Sequence, residues 1–210
     1  MKTSLIDDVT GVLLAGGKSR RMGEDKRLLP VGEQTLYSRS LAVLRSIFQR
    51  VIVVIAQDSP VIKSDMPVFR DLISDCGSMG GLYTGLKQAE TKWVFAVACD
   101  MPFLDAAVIR YFIELRGEGD VVMAKLENQF HPMHALYHRN CLPALERLIR
   151  AQDFKIHRLA EQPALRVRIV TSQELRSLDP EGRSFYNVNT PEDLASARVL
   201  HGQALKPSSS

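Results

Sequence analysis

Four apolar runs punctuate the chain: TGVLLA at 10–15, RVIVVIA at 50–56, KWVFAVA at 92–98 and DVVMA at 120–124. Each is continuous rather than alternating, which is the pattern of parallel strands covered on both faces. Helical spacing lies between them, in Leu36, Ser40, Val43, Leu44 and Ile47, in GGLYTGLKQA at 80–89, and in Val108, Phe112 and Leu115. Strand and helix signals in alternation predict a doubly wound α/β fold, a single-domain Rossmann-like three-layer sandwich with a mostly parallel sheet. Two shorter segments, PVFRD at 67–71 and MHALYH at 133–138, add edge or mixed strands. CLPALERLIRA (141–151) and PEDLASARVL (191–200) read as helices, the second with Pro191 in its first turn and Glu192 and Asp193 complementing the helix dipole. No internal repeat or low-complexity linker divides the chain, so one domain is expected over 1–200, with a flexible tail over 201–210.

Composition changes this picture only in where the charge falls. The 210 residues suit one α/β domain, with ordinary apolar (45%) and charged (24%) fractions and a net charge of +3. Residues 18–27, KSRRMGEDKR, carry five cations and two anions, leaving 22 Lys and Arg against 22 Asp and Glu elsewhere. The excess positive charge therefore sits in one loop, which favours a compact anionic ligand and argues against nucleic acid. Cys76, Cys99 and Cys141 show no C-x-x-C spacing, so a disulfide framework or zinc site is not expected and a reducing cytoplasm is. No apolar run approaches membrane-spanning length, and MKTSLIDDVTG has no apolar h-region.

The basic loop follows the first predicted strand as LLAGGKSRRMGEDK, residues 13–26. It has neither the G-x-x-x-x-G-K-[ST] nor the G-x-G-x-x-G spacing. Gly16 and Gly17 let backbone N–H groups approach an oxyanion, with Lys18, Arg20, Arg21, Lys26 and Arg27 around it. A basic βα turn with no ligand is the competing reading. In open α/β sheets ligands bind beyond the carboxyl ends of the strands, which places this loop, the Arg70–Asp71 end and the Cys99–Asp100 end along one crevice. Asp100 emerges from a buried strand just before Met101–Pro102, a place for a magnesium ligand or for a turn cap. Asp71, at the end of PVFRD and before a glycine-containing loop, reads from its position alone as a helix cap or a partner of Arg70. His134 and His138 are roughly 13 Å apart on a strand and are read as structural, while His131 beside Pro132 stays a substrate-side candidate. In NVNTPEDL, Asn187 and Asn189 share one face of an extended segment, with Val188 inward; amide reading of a heteroaromatic ring competes with capping of the next helix by Asn189 or Thr190.

The stretch L-A-G-G-K-S-R-R-M-G-E-D-K resembles the signature of molybdenum cofactor guanylyltransferases, within the wider nucleotidyltransferases that open L-A-[AG]-G-x-[GS]-x-R-[ML]-G. D-x(5)-G-S-M-G-G-L at 71–82, A-C-D-M-P at 98–102, H-P at 131–132 and N-V-N-T-P-E-D-L at 187–194 are similar to the family's later motifs, in the same order. The double glycine favours guanine, since cytidylyltransferases more often show L-A-A-G. One departure is VIAQD after the second strand, where family members often carry an asparagine.

The resemblance implies the nucleotide-diphospho-sugar transferase type of fold and a cytoplasmic Mg²⁺-dependent enzyme. GTP and the molybdopterin form of the cofactor would be its substrates, with cofactor-delivery proteins or apo-molybdoenzymes downstream. It puts Leu14, Ala15, Gly16, Gly17, Lys26, Asp71 and Asp100 on the nucleotide, Asp100 on the metal, Lys26, Asp100 and Arg21 in catalysis, and His131, Asn187 and Asn189 on the pterin side. A cytidylyl- or sugar-1-phosphate nucleotidyltransferase is the alternative within the class, and a non-catalytic nucleotide- or cofactor-binding adaptor the alternative outside it.

Overall fold

The computed structural model describes residues 4–16 and 25–204. Its strands are β1 (Ile6–Leu14), β2 (Pro30–Val31), β3 (Gln34–Thr35), β4 (Phe48–Ile55), β5 (Val68–Arg70), β6 (Trp93–Ala98), β7 (Val121–Leu126), β8 (Gln129–His138) and β9 (Val167–Thr171). The helices are α1 (Leu36–Ile47), α2 (Gly77–Gln88), α3 (Ala106–Glu114), α4 (Leu142–Arg150), the single turn α5 (Ser172–Leu175) and α6 (Pro191–Ala204).

Seven strands form one sheet in the order β5-β4-β1-β6-β8-β7-β9, and β2 pairs with β3 in a small antiparallel ribbon. β1 lies in parallel register between β4 and β6, with Leu14 opposite Val54 on one side and Ala98 on the other. β8 alone runs antiparallel, to both β6 and β7. The sheet is thus mostly parallel, as the continuous apolar runs predict. Alternate residues of β1 serve opposite faces: Val9 and Leu13 join the core under α1 and α3, while Val12 and Leu14 join that under α2 and α4. This is the three-layer arrangement expected.

Local chemistry fixes the helix starts. Thr35 caps α1 by accepting from Ser38 N at 3.1 Å, and Asp105 caps α3 by accepting from Ala107 N at 2.6 Å. Helix α2 carries Gly85 against β1, where an added Cβ would lie 2.8 Å from Val12 Cγ1. That helix therefore packs close to the central strand, and its N-terminus comes close to the sheet's carboxyl edge.

The carboxyl boundary needs a correction. The flexible tail expected from residue 201 does not begin there, because α6 stays helical through Ala204. His201 packs on the β2–β3 turn, where Gly32 has φ +67° and a Cβ would sit 2.2 Å from His201 Nε2. Residues 205–210 lie outside the described residues.

Candidate active site

The parallel strands keep pairing right up to where they end. Ala15 N donates to Val54 O at 2.8 Å, Cys99 N to Leu14 O at 3.0 Å, and Asp71 N to Ile55 O at 2.9 Å. Gly16 then crosses the end of β4 so closely that a Cβ would lie 2.6 Å from Ala56 N and 3.2 Å from Ile55 C, both backbone atoms. These ends open into a cleft of about 840 Å³. Leu14, Ala15, Gly16, Lys26, Asp71, Asp100, His131, Asn187 and Asn189 all line it. The sequence-predicted candidates within the described residues are therefore brought together; Gly17 and Arg21 lie outside those residues.

Asp100 is held through its backbone. Its carbonyl accepts from Val188 N at 2.9 Å, the Met101 carbonyl from Ser40 Oγ at 3.4 Å, and the Pro102 carbonyl from Arg39 Nε at 3.1 Å. Lys26 opens a 3-10 turn, Lys26–Leu28, whose cap Asp25 accepts from Arg27 N at 3.1 Å and pairs with the buried Arg27 guanidinium at 2.6 Å. This turn aims Lys26 across the cleft. Its Nζ donates to Asp100 Oδ2 at 2.8 Å and to Asn189 Oδ1 at 3.0 Å. The other Asp100 oxygen, Oδ1, is buried with no hydrogen-bond partner. A turn cap would accept from a main-chain N–H; among the described residues this carboxylate accepts only from Lys26. No cluster of three or more His, Cys, Asp or Glu that could cage a metal exists among the described residues. A cation at Asp100 would have to complete its coordination from substrate oxygens and water, as Mg²⁺ commonly does.

Asp71 is buried at the end of β5, 8% exposed, with Oδ1 unpartnered. Burial pushes its carboxyl up to about 6, against an ordinary value of 3.8. Arg70 does not neutralise it, because that guanidinium is spent on the carbonyls of Ala56 at 3.2 Å and Gln57 at 2.6 Å. Gln57, in the VIAQD segment, donates from Nε2 to the Asp71 carbonyl. Leu72 N donates to Thr84 Oγ1 at 2.9 Å, tying the strand exit to α2. Gln57 was visible in the sequence only as part of the VIAQD departure, with no role assigned to it, and Thr84 carried no signal that singled it out.

Asn187 and Asn189 line the cleft on either side of the fully buried Val188, as alternation predicts. Capping of α6 falls to Thr190 and Asp193: Asp193 Oδ2 accepts from Asn189 N at 2.8 Å and Thr190 N at 2.9 Å, and Thr190 Oγ1 accepts from Asp193 N at 3.1 Å. The Asn189 side chain is thereby left to hold Lys26. His131 sits edge-on to Phe185 with ring centroids 5.0 Å apart, and burial lowers its pKa, so it is neutral at neutral pH. His134 is wholly buried against Phe95, Phe112 and Phe185, donates from Nδ1 to Ser184 O at 3.1 Å, and is lowered by burial to about 4. His138 accepts from Asn140 N at 3.2 Å. The structural reading of His134 and His138 holds. Gln129, Phe130 and Met133 also line the cleft and were not anticipated.

Residues 11–169 match the model of the MobA-like NTP transferase domain family. The chain belongs to the MobA-like nucleotidyltransferases. A probable molybdenum cofactor guanylyltransferase from Pelotomaculum thermopropionicum is 37% identical over 191 residues, covering 91% of this chain and 92% of that protein. A molybdenum cofactor guanylyltransferase from Desulfosudis oleivorans is 33% identical, covering 92% and 96%. Among solved structures, molybdopterin-guanine dinucleotide biosynthesis protein A from Archaeoglobus fulgidus superposes with a TM-score of 0.82 at 25% identity, covering 92% of this chain and 99% of that one. In this MobA-like chain Asn187 and Asn189 lie beyond the matched residues, on a segment that returns to the site through the Val188–Asp100 hydrogen bond.

Proposed function

We propose that the protein transfers GMP from GTP to the molybdopterin form of the molybdenum cofactor, releasing pyrophosphate and forming the guanine dinucleotide cofactor. The observation that carries this reading is Asp100, at the end of β6, joined to Lys26 and Asn189 in a cleft that Gly16 and Asp71 also line. The relatives named above supply the choice of reaction within the family.

The residues fit a divalent cation, since Asp100 offers a buried carboxylate oxygen that nothing in the described chain satisfies. Mg²⁺ held there would supply charge stabilisation at the α-phosphate. The rest falls to the chain. Its N–H groups at the Gly16 loop and the Lys26 ammonium bind the triphosphate and stabilise charge on the departing pyrophosphate. Asp71 holds the nucleoside, and Arg21 serves as a second cation. Asn187, Asn189 and His131 face the acceptor, whose terminal phosphate is oriented in line with the bond that breaks.

A cytoplasmic setting suits this reading: the three cysteines are free and buried, and among the described residues no helix is long and apolar enough to cross a membrane. Delivery proteins or apo-molybdoenzymes would take the product. A nucleotide panel tests the assignment. With molybdopterin as acceptor and pyrophosphate release as the signal, GTP should exceed CTP in kcat/KM by at least roughly tenfold, about 1.4 kcal/mol of discrimination. Equal use of both, or preference for CTP, rejects the guanylyl assignment.

A further inference from the structure

The carboxylate that would hold a metal is itself paired with a cation of the chain. Lys26 Nζ lies 2.8 Å from Asp100 Oδ2 and 3.0 Å from Asn189 Oδ1, and the Lys26 and Asp100 side chains are only 16% and 20% exposed. The lysine is not there by chance of a long flexible arm. The turn that carries it is fixed by the Asp25–Arg27 pair, and its acceptors Asp100 and Asn189 come from segments 74 and 163 residues away. A divalent cation brought to Asp100 would meet an ammonium beside it, in a partly buried place where solvent screens like-charge repulsion weakly. The same ammonium is the cleft's natural partner for a nucleotide's phosphates.

We propose that Lys26 is a tethered counter-ion for Asp100. It occupies the carboxylate until a nucleotide's phosphates draw it away, so that metal and nucleotide binding are coupled through this one side chain. This rests on the reading of Asp100 as the metal ligand. Asn189 is then a positioning residue: it fixes the second contact of the parked lysine. Coupling of this kind is reciprocal. Whatever Lys26 takes from metal affinity in the free protein is returned when phosphates remove it.

The test is a titration of the nucleotide-free protein with Mn²⁺, following loss of the free-ion electron paramagnetic resonance signal. Lys26→Met keeps the length of the side chain and removes its charge. The variant should bind Mn²⁺ at least about tenfold more tightly than the unaltered protein, within the usual range of intramolecular coupling. Adding Asp100→Asn should abolish the gain. Equal or weaker Mn²⁺ binding by Lys26→Met overturns the proposal; Lys26→Gln replaces it if the methionine variant does not fold. Mn²⁺ binding that ignores Asp100→Asn in every background instead rejects Asp100 as the ligand, a separate failure. With chelator present, Asp100→Asn should tighten GTP binding, because it frees Lys26 for the phosphates. That gain should shrink in the Lys26→Met background. A gain of the same size in both backgrounds means simple carboxylate–phosphate repulsion and removes the nucleotide half of the proposal.

Discussion

Asp71 is held in a state that costs the free protein stability, and the size of that cost follows from its surroundings. Its Oδ1 is buried without a partner, and the carboxyl is raised by burial from 3.8 to about 6. Ionised Asp71 at pH 7.5 therefore opposes folding. Each pKa unit is worth about 1.4 kcal/mol, so the upper bound is about 3 kcal/mol. The sign is unusual for an aspartate. The folded state binds the proton more tightly than the unfolded chain, so the stability that protonation of Asp71 contributes is present in full below about 3.8 and lost as pH rises to about 6. Asp71→Asn removes the charge while keeping the shape. It should stabilise the ligand-free protein at pH 7.5 by about 1–3 kcal/mol, on the order of 5 °C in Tm for a chain of this size. The same change should weaken GTP binding. Thermal scans of both proteins from pH 7.5 down to pH 4.5 check this. The Tm advantage of the variant should shrink as pH falls through about 6, where the unaltered side chain takes up its proton. A variant no more stable than its parent at pH 7.5, or an advantage undiminished at pH 4.5, refutes the reasoning.

Two further substitutions probe the rest of the cleft. Asp100→Asn keeps packing at the end of β6 but loses the charge at the site, so kcat should fall at least about a hundredfold with only modest weakening of GTP binding in Mg²⁺. Steady-state kinetics beside calorimetric GTP titration separates the two effects, and normal turnover at low millimolar Mg²⁺ removes Asp100 from the chemistry. Gly16→Ala forces a methyl against the Ala56 and Ile55 backbone, which cannot rotate away. Denaturant titration should show a loss of about 1–3 kcal/mol, and KM for GTP should rise as the loop lifts; an unchanged protein contradicts the close crossing.

The parallel half of the sheet was legible because β1, β4, β6 and β7 are buried on both faces and their apolar runs are unbroken. β9 was not: VRIVT places Arg168 within it, and that charge is accommodated by pairing with Glu118 and Glu174 from elsewhere in the chain. β8 was legible as an edge or mixed strand, and it is the mixed one: antiparallel, and interior to the sheet. A local signal existed in Glu127–Asn128, whose positive φ values of 46° and 69° make the tight hairpin turn that asparagine favours. At the site, Asp71, Asp100 and Lys26 stood out because strand ends and a basic loop are where such a fold binds anions. What sequence could not convey is the long-range pairing. Lys26 meets Asp100 and Asn189 only through the topology; of the two capping residues considered, Asn189 and Thr190, it is Thr190 that caps, together with Asp193. Asp71's burial likewise depends on α2 packing beside it, where a Cβ on Gly81 would lie 3.7 Å from Asp71 Oδ1.

If this cleft joins a guanylate to a pterin phosphate, the product must carry both. Purified protein, GTP, Mg²⁺ and molybdopterin cofactor are incubated, and the pterin fraction is weighed by mass spectrometry while pyrophosphate is counted. The pterin should be heavier by one guanylate unit, with one pyrophosphate released for each adduct formed. Pyrophosphate released equally without the pterin, or a pterin of unchanged mass, would contradict it.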